Sequence, residues 1–255
     1  MSKRITRKDK IDRKSIGECV PIREKTLKIK EEEAEFFKKK VMNMLDKEQT
    51  EAMVKISECP LVLVTGSYGT GKSYLVAAWS LLALKTKKID KIYITKPVFT
   101  KKSEDLGFLK GDLVDKITPH LLPILQAFET FIPKAELEYY LEHGQIEMIP
   151  TMFLRGCNIG RPNQREVLIT EEIQNLDREG TEKVVSRISE NGKILLLGDK
   201  NQTDCKLSDS GLRDIVQFES PHFAKINLTQ IHRHSIVKEI RDFYENLKAK
   251  EGRNN

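Results

Sequence analysis

The sequence has few cysteines and no long apolar run, and both shortages narrow the class of protein. The four cysteines, Cys19, Cys59, Cys157 and Cys205, are scattered and form no C-x-x-C pair. This argues against a zinc site and a disulfide framework, and favours reduced thiols in a cytoplasmic protein. No apolar stretch approaches the roughly 18 residues needed to cross a membrane. The basic N-terminus lacks the apolar segment of a secretory signal, so we expect no membrane association.

Acidic residues are scarce only at the start of the chain. Residues 1–30 hold eleven Lys or Arg and four Asp or Glu, a net charge of +7, whereas the remaining residues hold 33 basic and 34 acidic groups, a net charge of −1. Such an arm serves either as a nucleic-acid tether or as a solubilising tail, and both interpretations stay open. The aromatic content of 7% marks no platform for stacking bases.

The most informative stretch is a glycine-rich loop of the form G-x-x-x-x-G-K-S. It consists of Gly66, Ser67, Tyr68, Gly69, Thr70, Gly71, Lys72 and Ser73. An apolar run precedes the loop and a helical pattern follows it, which is the context that phosphate binding requires. Backbone N–H groups and the helix N-terminus then bind phosphates. Lys72 is expected to reach the β- and γ-phosphates, and the Ser73 hydroxyl to ligate Mg²⁺.

Apolar runs alternate with helical patterns along the chain. The predicted strands are residues 61–65, 91–95, 166–170, 193–197 and 224–228. The predicted helices are residues 27–44, 47–57, 73–84, 112–130, 134–143, 180–190 and 236–247, with Asp46 as the N-cap of the second. This order predicts an α/β fold with a parallel sheet covered on both faces. We expect a flexible basic arm (1–26), a helical segment (27–45), the α/β domain (46–247) and a polar tail (248–255).

Paired carboxylates follow the third predicted strand. Glu171 and Glu172 come directly after residues 166–170. In a phosphate-loop enzyme, one carboxylate at this place holds Mg²⁺ and the next activates the attacking water. We therefore predict Glu171 as the metal-side residue and Glu172 as the general base. The alternative is an ordinary acidic helix start, which the helix dipole favours.

Polar residues also follow the last two strands. Gln202 comes just after Gly198-Asp199 and could report the γ-phosphate, or the segment could be a plain Gly-Asp turn. Arg233 follows the final strand and is a candidate arginine finger. Its neighbours, His232 and His234, lack a matching carboxylate or Cys and do not indicate a metal site.

Together these motifs resemble the PhoH-like family of ATPases, which are related to the superfamily 1 helicase core. The resemblance covers about residues 45–245, and its most specific parts are LGFLKGD (106–112) and SGLRD (210–214). It also rests on residues 66–73, 94–97, 152–156, 171–175, 198–202 and 233–234. The resemblance implies a single RecA-like α/β domain, with ATP and Mg²⁺ as cofactors.

The chain departs from the family pattern at three positions. Glu171 stands where the family writes Asp, Lys96 where it has Arg, and Ser235 where it often has Pro. Lysine lacks arginine's planar fork, which weakens the case for a bidentate phosphate contact. Gln49 lies in a segment that resembles the adenine-reading glutamine of the helicase relatives. The alternative is a solvated glutamine on a helix.

The resemblance implies a Mg²⁺-dependent ATPase that acts on RNA or single-stranded DNA. Only one RecA-like domain fits in this length, so a second wall of the nucleotide site would come from another subunit. We therefore expect a homo-oligomer, such as a hexameric ring, with Arg233 acting in trans. The alternatives are a nucleotide-gated scaffold with little turnover and, less favoured, a small-molecule kinase.

Overall fold

The computed structural model describes residues 22–97, 113–200, 202 and 210–251, without the side chains of 22–30, 113–120, 245 and 248–251. The basic arm before residue 22 and the LGFLKGD stretch lie outside the described residues. In the described part of the chain, no helix is long and apolar enough to cross a membrane.

The described strands form one six-stranded sheet in which every pair is parallel. They are β1 (Leu61–Thr65), β2 (Lys91–Thr95), β3 (Ile146–Met148), β4 (Glu166–Thr170), β5 (Gly192–Gly198) and β6 (Phe223–Asn227). Their order is β3-β2-β4-β5-β1-β6, so β5 lies between the strand before the phosphate loop and the strand before the paired carboxylates. This confirms the predicted single α/β domain of the RecA-like class.

The described helices mostly follow the predicted pattern. They are α1 (Ile22–Met44), α2 (Lys47–Glu58), α3 (Lys72–Lys85), α4 (Leu113–Phe131), α5 (Lys134–Glu142), α6 (Arg178–Val185), α7 (Gly211–Gln217) and α8 (Ser235–Glu251). Short 3₁₀ helices lie at Thr151–Leu154 and Ile173–Asn175. The first helix begins five residues before the predicted residue 27. Strand β3 and helix α7 were not predicted, because each is too short to show a hydrophobic period.

The N-cap of α2 matches the prediction for Asp46. The Asp46 carboxylate accepts a hydrogen bond from the backbone N–H of Gln49 at 2.7 Å, and the Gln49 side-chain oxygen accepts one from the backbone N–H of Asp46 at 3.3 Å. This reciprocal capping box satisfies two N–H groups that a helix start otherwise leaves unpaired. It also fixes the Gln49 side chain beside the phosphate loop.

The core has two parts, one on each face of the sheet. Val62 and Val64 of β1 pack with α3 and α4, whereas Leu63 faces the second cluster with Leu196 of β5 and Leu212 of α7. Successive side chains of a strand point to opposite faces, so a strand that is covered twice is apolar throughout. Burial of both faces leaves the carboxyl ends of the strands as the place where polar side chains meet.

Candidate nucleotide site

The phosphate loop joins β1 to α3 through two left-handed glycines. Gly69 and Gly71 have φ angles of 79° and 81°, which other residues rarely adopt. Between them, the Thr70 hydroxyl donates to the carbonyl of Ser67 at 2.8 Å and is buried. The loop is therefore closed by its own hydrogen bonds, and α3 begins directly after it at Lys72.

The ammonium of Lys72 lies inside this loop. It donates to the carbonyl oxygens of Gly66 at 2.7 Å and Ser67 at 3.1 Å. Burial lowers the pKa of Lys72, while the nearby charges of Asp199 and the paired carboxylates act in the opposite direction. The amine and the carboxylates are thus close enough to influence one another across the loop.

Ser73 and Glu171 meet at the first turn of α3. The Ser73 hydroxyl donates to the Glu171 carboxylate at 2.7 Å. Burial raises the pKa of Glu171, the hydrogen bond from Ser73 opposes that rise, and the charge of Glu172 adds to it. A hydroxyl and a carboxylate that converge in this way are oxygen ligands of the kind that Mg²⁺ prefers. The residues present therefore fit a magnesium site.

Glu172 occupies an unusual backbone conformation. Its φ and ψ angles are 54° and 44°, in the left-handed region. Such angles cost free energy in a non-glycine residue and cluster at functional sites. The carboxylate accepts a short hydrogen bond from the side-chain amide of Gln174, and the Gln174 side-chain oxygen accepts one from the backbone N–H of Asp199 at 3.1 Å. Gln174 therefore ties the proposed base to the end of β5.

Gln174 is a site residue for which no role was predicted. It is buried, with 2% of its surface exposed, and it lies two residues beyond the paired carboxylates. Its presence in the 171–175 stretch was the one available signal. The link to Asp199 depends on the pairing of β4 with β5, which local sequence does not reveal.

The loop after β6 is fastened to both α2 and the phosphate loop. Glu48 of α2 accepts hydrogen bonds from the backbone N–H and the hydroxyl of Thr229 at 3.0 and 2.9 Å. The backbone N–H of His232 donates to the carbonyl of Gly69 at 2.9 Å, and the His232 ring lies 2.8 Å from the Asp46 carboxylate. These contacts hold the loop after β6 against α2 and the phosphate loop.

Arg233 lies against the phosphate loop of its own chain. A side chain at Gly69 would come within 3.0 Å of Cδ and 3.2 Å of Cγ of Arg233. The positive charge of Arg233 also acts to lower the pKa of Lys72. The hydrogen bond between His232 and Gly69 brings the next residue to the loop. The expectation that Arg233 acts in trans in a homo-oligomer stays a prediction.

Gln49 is buried rather than solvated. It is 2% exposed, so the alternative of a solvated glutamine is wrong. A side chain at Gly71 would come within 2.6 Å of the Gln49 side-chain nitrogen, which shows how closely the amide approaches the loop. The capping box with Asp46 uses the amide oxygen.

Gln202 lies in the predicted turn after Gly198-Asp199, and its response to the γ-phosphate stays a prediction. Its backbone N–H donates to the carbonyl of Asp199 at 3.3 Å, as in a turn. Its exposed side chain nevertheless lines the cleft beside the carboxylates. The described geometry thus leaves the side chain available to a ligand.

A cleft of about 940 Å³ joins these groups, a volume typical of small-molecule sites. The predicted residues that line it are Gln49, Tyr68, Gly69, Gly71, Lys72, Ser73, Glu171, Glu172, Gln202 and Arg233. Gly66, Ser67 and Thr70 complete the loop without lining the cleft. Pro123, Ile124 and Ala127 of α4 also line the cleft, and none of them was predicted as a site residue.

The sequence matches one protein family over most of its length. The profile of the family described as "PhoH-like protein" matches residues 41–245. A PhoH-like protein of Synechocystis is 29% identical over 205 residues, which cover 77% of this chain and 60% of the relative. A PhoH-like protein of Mycobacterium bovis is 32% identical over 189 residues, covering 72% of this chain and 52% of the relative. The chain thus spans about half the length of the curated relatives it matches.

Solved structures with a similar course of the chain include two helicases. The Pif1 helicase of Candida albicans is 18% identical, with a TM-score of 0.43 over 80% of this chain and 43% of that chain. The Hef helicase domain of Pyrococcus furiosus is 10% identical, with a TM-score of 0.44 over 73% of this chain and 38% of that chain. The family match rests on the sequence itself, and it includes the phosphate loop, the paired carboxylates and Arg233. The chain belongs to the PhoH-like protein family.

Proposed function

We propose that this protein binds ATP with Mg²⁺ and hydrolyses it. The observation that carries the proposal is the 2.7 Å contact between Ser73 and Glu171, formed beside the Lys72 ammonium inside a closed phosphate loop. Two oxygen ligands and one amine meet there at a helix N-terminus. Helix N-termini favour phosphate groups through their free N–H groups and partial positive charge.

Ser73 and Glu171 would hold the magnesium ion. When bound, the ion neutralises phosphate charge and orients the phosphates for attack. The raised pKa of Glu171 reflects a carboxylate that is buried without enough positive charge around it. A cation at this place would offset that cost, which supports the assignment.

The other residues have separate proposed roles. Lys72 holds the β- and γ-phosphates, and Glu172 accepts a proton from the attacking water. Gln174 orients the Glu172 carboxylate through the hydrogen bond described above. Arg233, on the loop after β6, stabilises the charge that develops on the transferred phosphate. Gln202 is proposed to respond to the γ-phosphate.

The adenine base of ATP is proposed to bind between α2 and α4. Gln49 offers an amide that can donate to and accept from an adenine edge. Pro123, Ile124 and Ala127 supply an apolar surface on the other side of the cleft. An apolar wall with a few polar groups is the usual composition of a nucleotide-base pocket.

We further propose RNA or single-stranded DNA as the polymer on which a cytoplasmic homo-oligomer acts. The support is the resemblance of the motifs to the superfamily 1 helicase core, together with the basic residues at the start of the chain. A second subunit is proposed to complete the nucleotide site. The position of Arg233 beside Gly69 of its own chain also supports an arginine supplied within one subunit, and both arrangements are proposals.

The proposal is tested by steady-state ATP hydrolysis with and without single-stranded RNA and DNA. Glu172→Gln keeps the size of the side chain but removes the base, so turnover should fall about a hundredfold or more while ATP binding remains. Glu190→Gln, an exposed residue of the same type, is the matched control. Stimulation of the wild type by a polymer supports the polymer-dependent ATPase. Wild-type binding without turnover on any polymer rejects hydrolysis.

A nucleotide-gated scaffold is the second candidate function. The specific observation in its favour is Glu171, which is one methylene longer than the Asp of the family and is buried with a raised pKa. A site of this kind could bind ATP and turn it over slowly. Phosphate transfer to a small acceptor, in place of water, would instead indicate a kinase.

A further inference from the structure

Two side chains that line the nucleotide cleft, Asp46 and His232, have no part in the chemistry proposed above. The Nε2 atom of the His232 ring lies 2.8 Å from the Oδ2 atom of Asp46. That oxygen is buried, and no residue in the described part of the chain forms an aligned hydrogen bond with it. A buried carboxylate oxygen is costly without a polar partner. The His232 ring, which forms an ion pair with it once protonated, is therefore the group that compensates its burial.

The two oxygens of the Asp46 carboxylate make separate contacts. The Oδ1 atom accepts a hydrogen bond from the backbone N–H of Gln49 at 2.7 Å, and the Gln49 side-chain oxygen accepts one from the backbone N–H of Asp46 at 3.3 Å. The Oδ2 atom faces His232. Because a carboxylate is a rigid plane, its two oxygens move together. The positions of Gln49 and His232 are thus linked through one side chain.

The His232 ring and the Gln49 amide approach the phosphate loop at the same point. A side chain built at Gly71 would lie 2.6 Å from the Gln49 Nε2 atom and 3.6 Å from the His232 Cδ2 atom. The backbone N–H of His232 donates to the Gly69 carbonyl at 2.9 Å, and Arg233 packs beside the same glycine. His232 therefore lies between the glutamine proposed to read the base and the arginine proposed to stabilise the transferred phosphate.

The start of the same loop is held independently of His232. The Glu48 carboxylate accepts hydrogen bonds from the backbone N–H and hydroxyl of Thr229 at 3.0 and 2.9 Å, and from the backbone N–H of Gln230 at 3.3 Å. Loss of the contact between His232 and Asp46 would therefore release only the end of the loop that carries the arginine. The loop would stay attached to α2, so the contact can be removed without unfolding the site.

We propose that Asp46 and His232 are positioning residues that make ATP turnover depend on the base bound at Gln49. A base that engages the Gln49 amide restrains Asp46 through the capping box, and Asp46 in turn restrains the His232 ring. The ring holds Arg233 where the structure has it, beside the phosphate loop of its own chain. Because a misplacement of about 1 Å can cost about a hundredfold in rate, the restraint is expressed in kcat. This role rests on the proposed function.

Adenine is the base that fits this arrangement. A glutamine amide offers both a donor and an acceptor. Adenine presents the N7 acceptor beside the N6 donor, whereas guanine presents two acceptors, N7 and O6, on the same edge. GTP therefore engages the phosphate loop fully but Gln49 only in part. We expect kcat with ATP to exceed kcat with GTP by about tenfold, a difference equivalent to about one hydrogen bond.

The first test compares steady-state hydrolysis of ATP and GTP. Asp46→Ser separates the two contacts of the carboxylate, because serine still caps α2 but has no second oxygen for His232. His232→Phe keeps a flat ring but removes Nε2. Each should lower kcat with ATP about tenfold, to the level with GTP, and change kcat with GTP less than about twofold. The Kd for ATP should change less than about threefold, because Gln49 remains. The double variant should be no slower than either single variant, as for two members of one contact.

Each substitution has a matched control elsewhere in the fold. Asp177→Ser changes the aspartate that caps α6, whose carboxylate accepts from the backbone N–H of Gly180 at 2.7 Å. His222→Phe changes an exposed histidine in the same way. Both controls should keep the wild-type preference for ATP. Losses of ATP and GTP turnover in equal proportion, or strictly additive losses in the double variant, would overturn the inference.

A second measurement does not depend on turnover. The chain has five histidines, so the NMR signal of the His232 ring can be assigned from its absence in His232→Phe. A non-hydrolysable ATP analogue should shift this signal more than the GTP analogue does, and the difference should vanish in Asp46→Ser. An equal response to both analogues, or a difference that survives in Asp46→Ser, would overturn the link. A difference in wild-type protein that hydrolyses no ATP would support the link from base to His232 while rejecting the proposed hydrolysis.

Discussion

The Ser73 hydroxyl donates to the Glu171 carboxylate at 2.7 Å, although 98 residues separate them in the chain. The contact exists because β1 and β4 are both parallel neighbours of β5, which brings their carboxyl ends to one edge. Ser73 is the second residue of α3, the helix that follows β1, and Glu171 directly follows the last residue of β4. The contact between Ser73 and Glu171 therefore results from the order of the strands in the sheet. It brings the two oxygen atoms close enough to bind one cation together.

Shortening the Glu171 side chain should weaken the binding of Mg²⁺. Glu171→Asp removes one methylene from a buried side chain, so the carboxylate should withdraw from the Ser73 hydroxyl. We expect the Mg²⁺ concentration for half-maximal ATP binding to rise about tenfold. Titration of Mg²⁺ against binding of a fluorescent ATP analogue measures this, with Glu190→Asp as the control. An unchanged requirement would show that the site accepts either carboxylate, and the extra methylene would have no function.

Removing the Gln174 amide should impair turnover more than binding. Gln174→Ala frees the Glu172 carboxylate from its hydrogen bond and from the link to Asp199. We expect kcat to fall about tenfold while the Kd for ATP changes less than about twofold, because the residue positions the base and does not touch phosphate. Gln217→Ala, an exposed glutamine on α7, is the control. Equal losses in kcat and in ATP affinity would instead indicate a general structural role.

The framework of the fold was predictable from sequence because it depends on local patterns. The four longer strands after the phosphate loop carry full hydrophobic periods, and their bounds agree with the structure within one residue. The helices agree less well at their ends: α6 ends at Val185, whereas residue 190 was predicted. Helix α7 was missed because its seven residues are too few to show a hydrophobic period, and tertiary packing sets its position. It begins at Gly211, where a side chain would come within 2.0 Å of the Thr181 hydroxyl, so its place is set by packing on α6.

The site residues could be predicted where they belong to one contiguous motif, and less well where the site joins distant parts of the chain. The phosphate loop and the paired carboxylates are contiguous stretches, so their residues could be named before the structure. The partners of Gln174 and the clamp of Glu48 on Thr229 join residues that are distant in sequence. The position of Arg233 beside Gly69 could not be predicted in the same way, because the distance from the last strand to the phosphate loop is not encoded in local spacing.

The contact of Arg233 with its own phosphate loop predicts how inactive variants behave when mixed. Arg233→Ala should lower ATP turnover by about a thousandfold, as for loss of an arginine finger. Equimolar mixing with Glu172→Gln should restore no activity, because each chain needs its own arginine and base. Mixing each variant with wild type controls for subunit exchange. Clear recovery in the mixture of the two inactive variants would show that Arg233 acts between subunits.

Close contact between Gly71 and Gln49 predicts that the two positions are coupled. Gly71→Ala introduces a side chain 2.6 Å from the Gln49 nitrogen at a φ of 81°, so both clash and strain oppose it. Gly144→Ala is the matched control, because its φ is 65° and nothing lies within 4 Å. The free energy of unfolding of the control variant should fall by only about 1–2 kcal/mol, which is the cost of this backbone conformation in a residue other than glycine.

The coupling is measured by a double-mutant cycle. Adding Gln49→Ala to Gly71→Ala removes the clash and should recover part of the lost ATP affinity, even though Gln49→Ala alone weakens binding. Purely additive losses would show that the amide does not restrict the loop.

A buried carboxylate beneath the site predicts the acid sensitivity of the fold. Glu166, at the start of β4, is 1% exposed and accepts hydrogen bonds from the Arg161 guanidinium at 2.7 and 3.1 Å and from the backbone N–H of Gly160 at 2.8 Å. Burial by itself would raise the pKa of Glu166, but these hydrogen bonds and the charge of Arg161 outweigh it and hold the pKa below its ordinary value.

A carboxyl with a lowered pKa in the folded state stabilises the protein above its unfolded pKa, and that contribution is lost as the pH falls through the folded pKa. Glu166→Gln should therefore reduce the free energy of unfolding by about 1–3 kcal/mol at pH 7. The difference between the variant and wild type should shrink as the buffer is acidified below about pH 4.5, the ordinary value for glutamate. Urea unfolding at several pH values measures this, and Glu190→Gln should track wild type throughout. A difference that stays constant from pH 7 to pH 3 would show that Glu166 contributes through packing rather than through its charge.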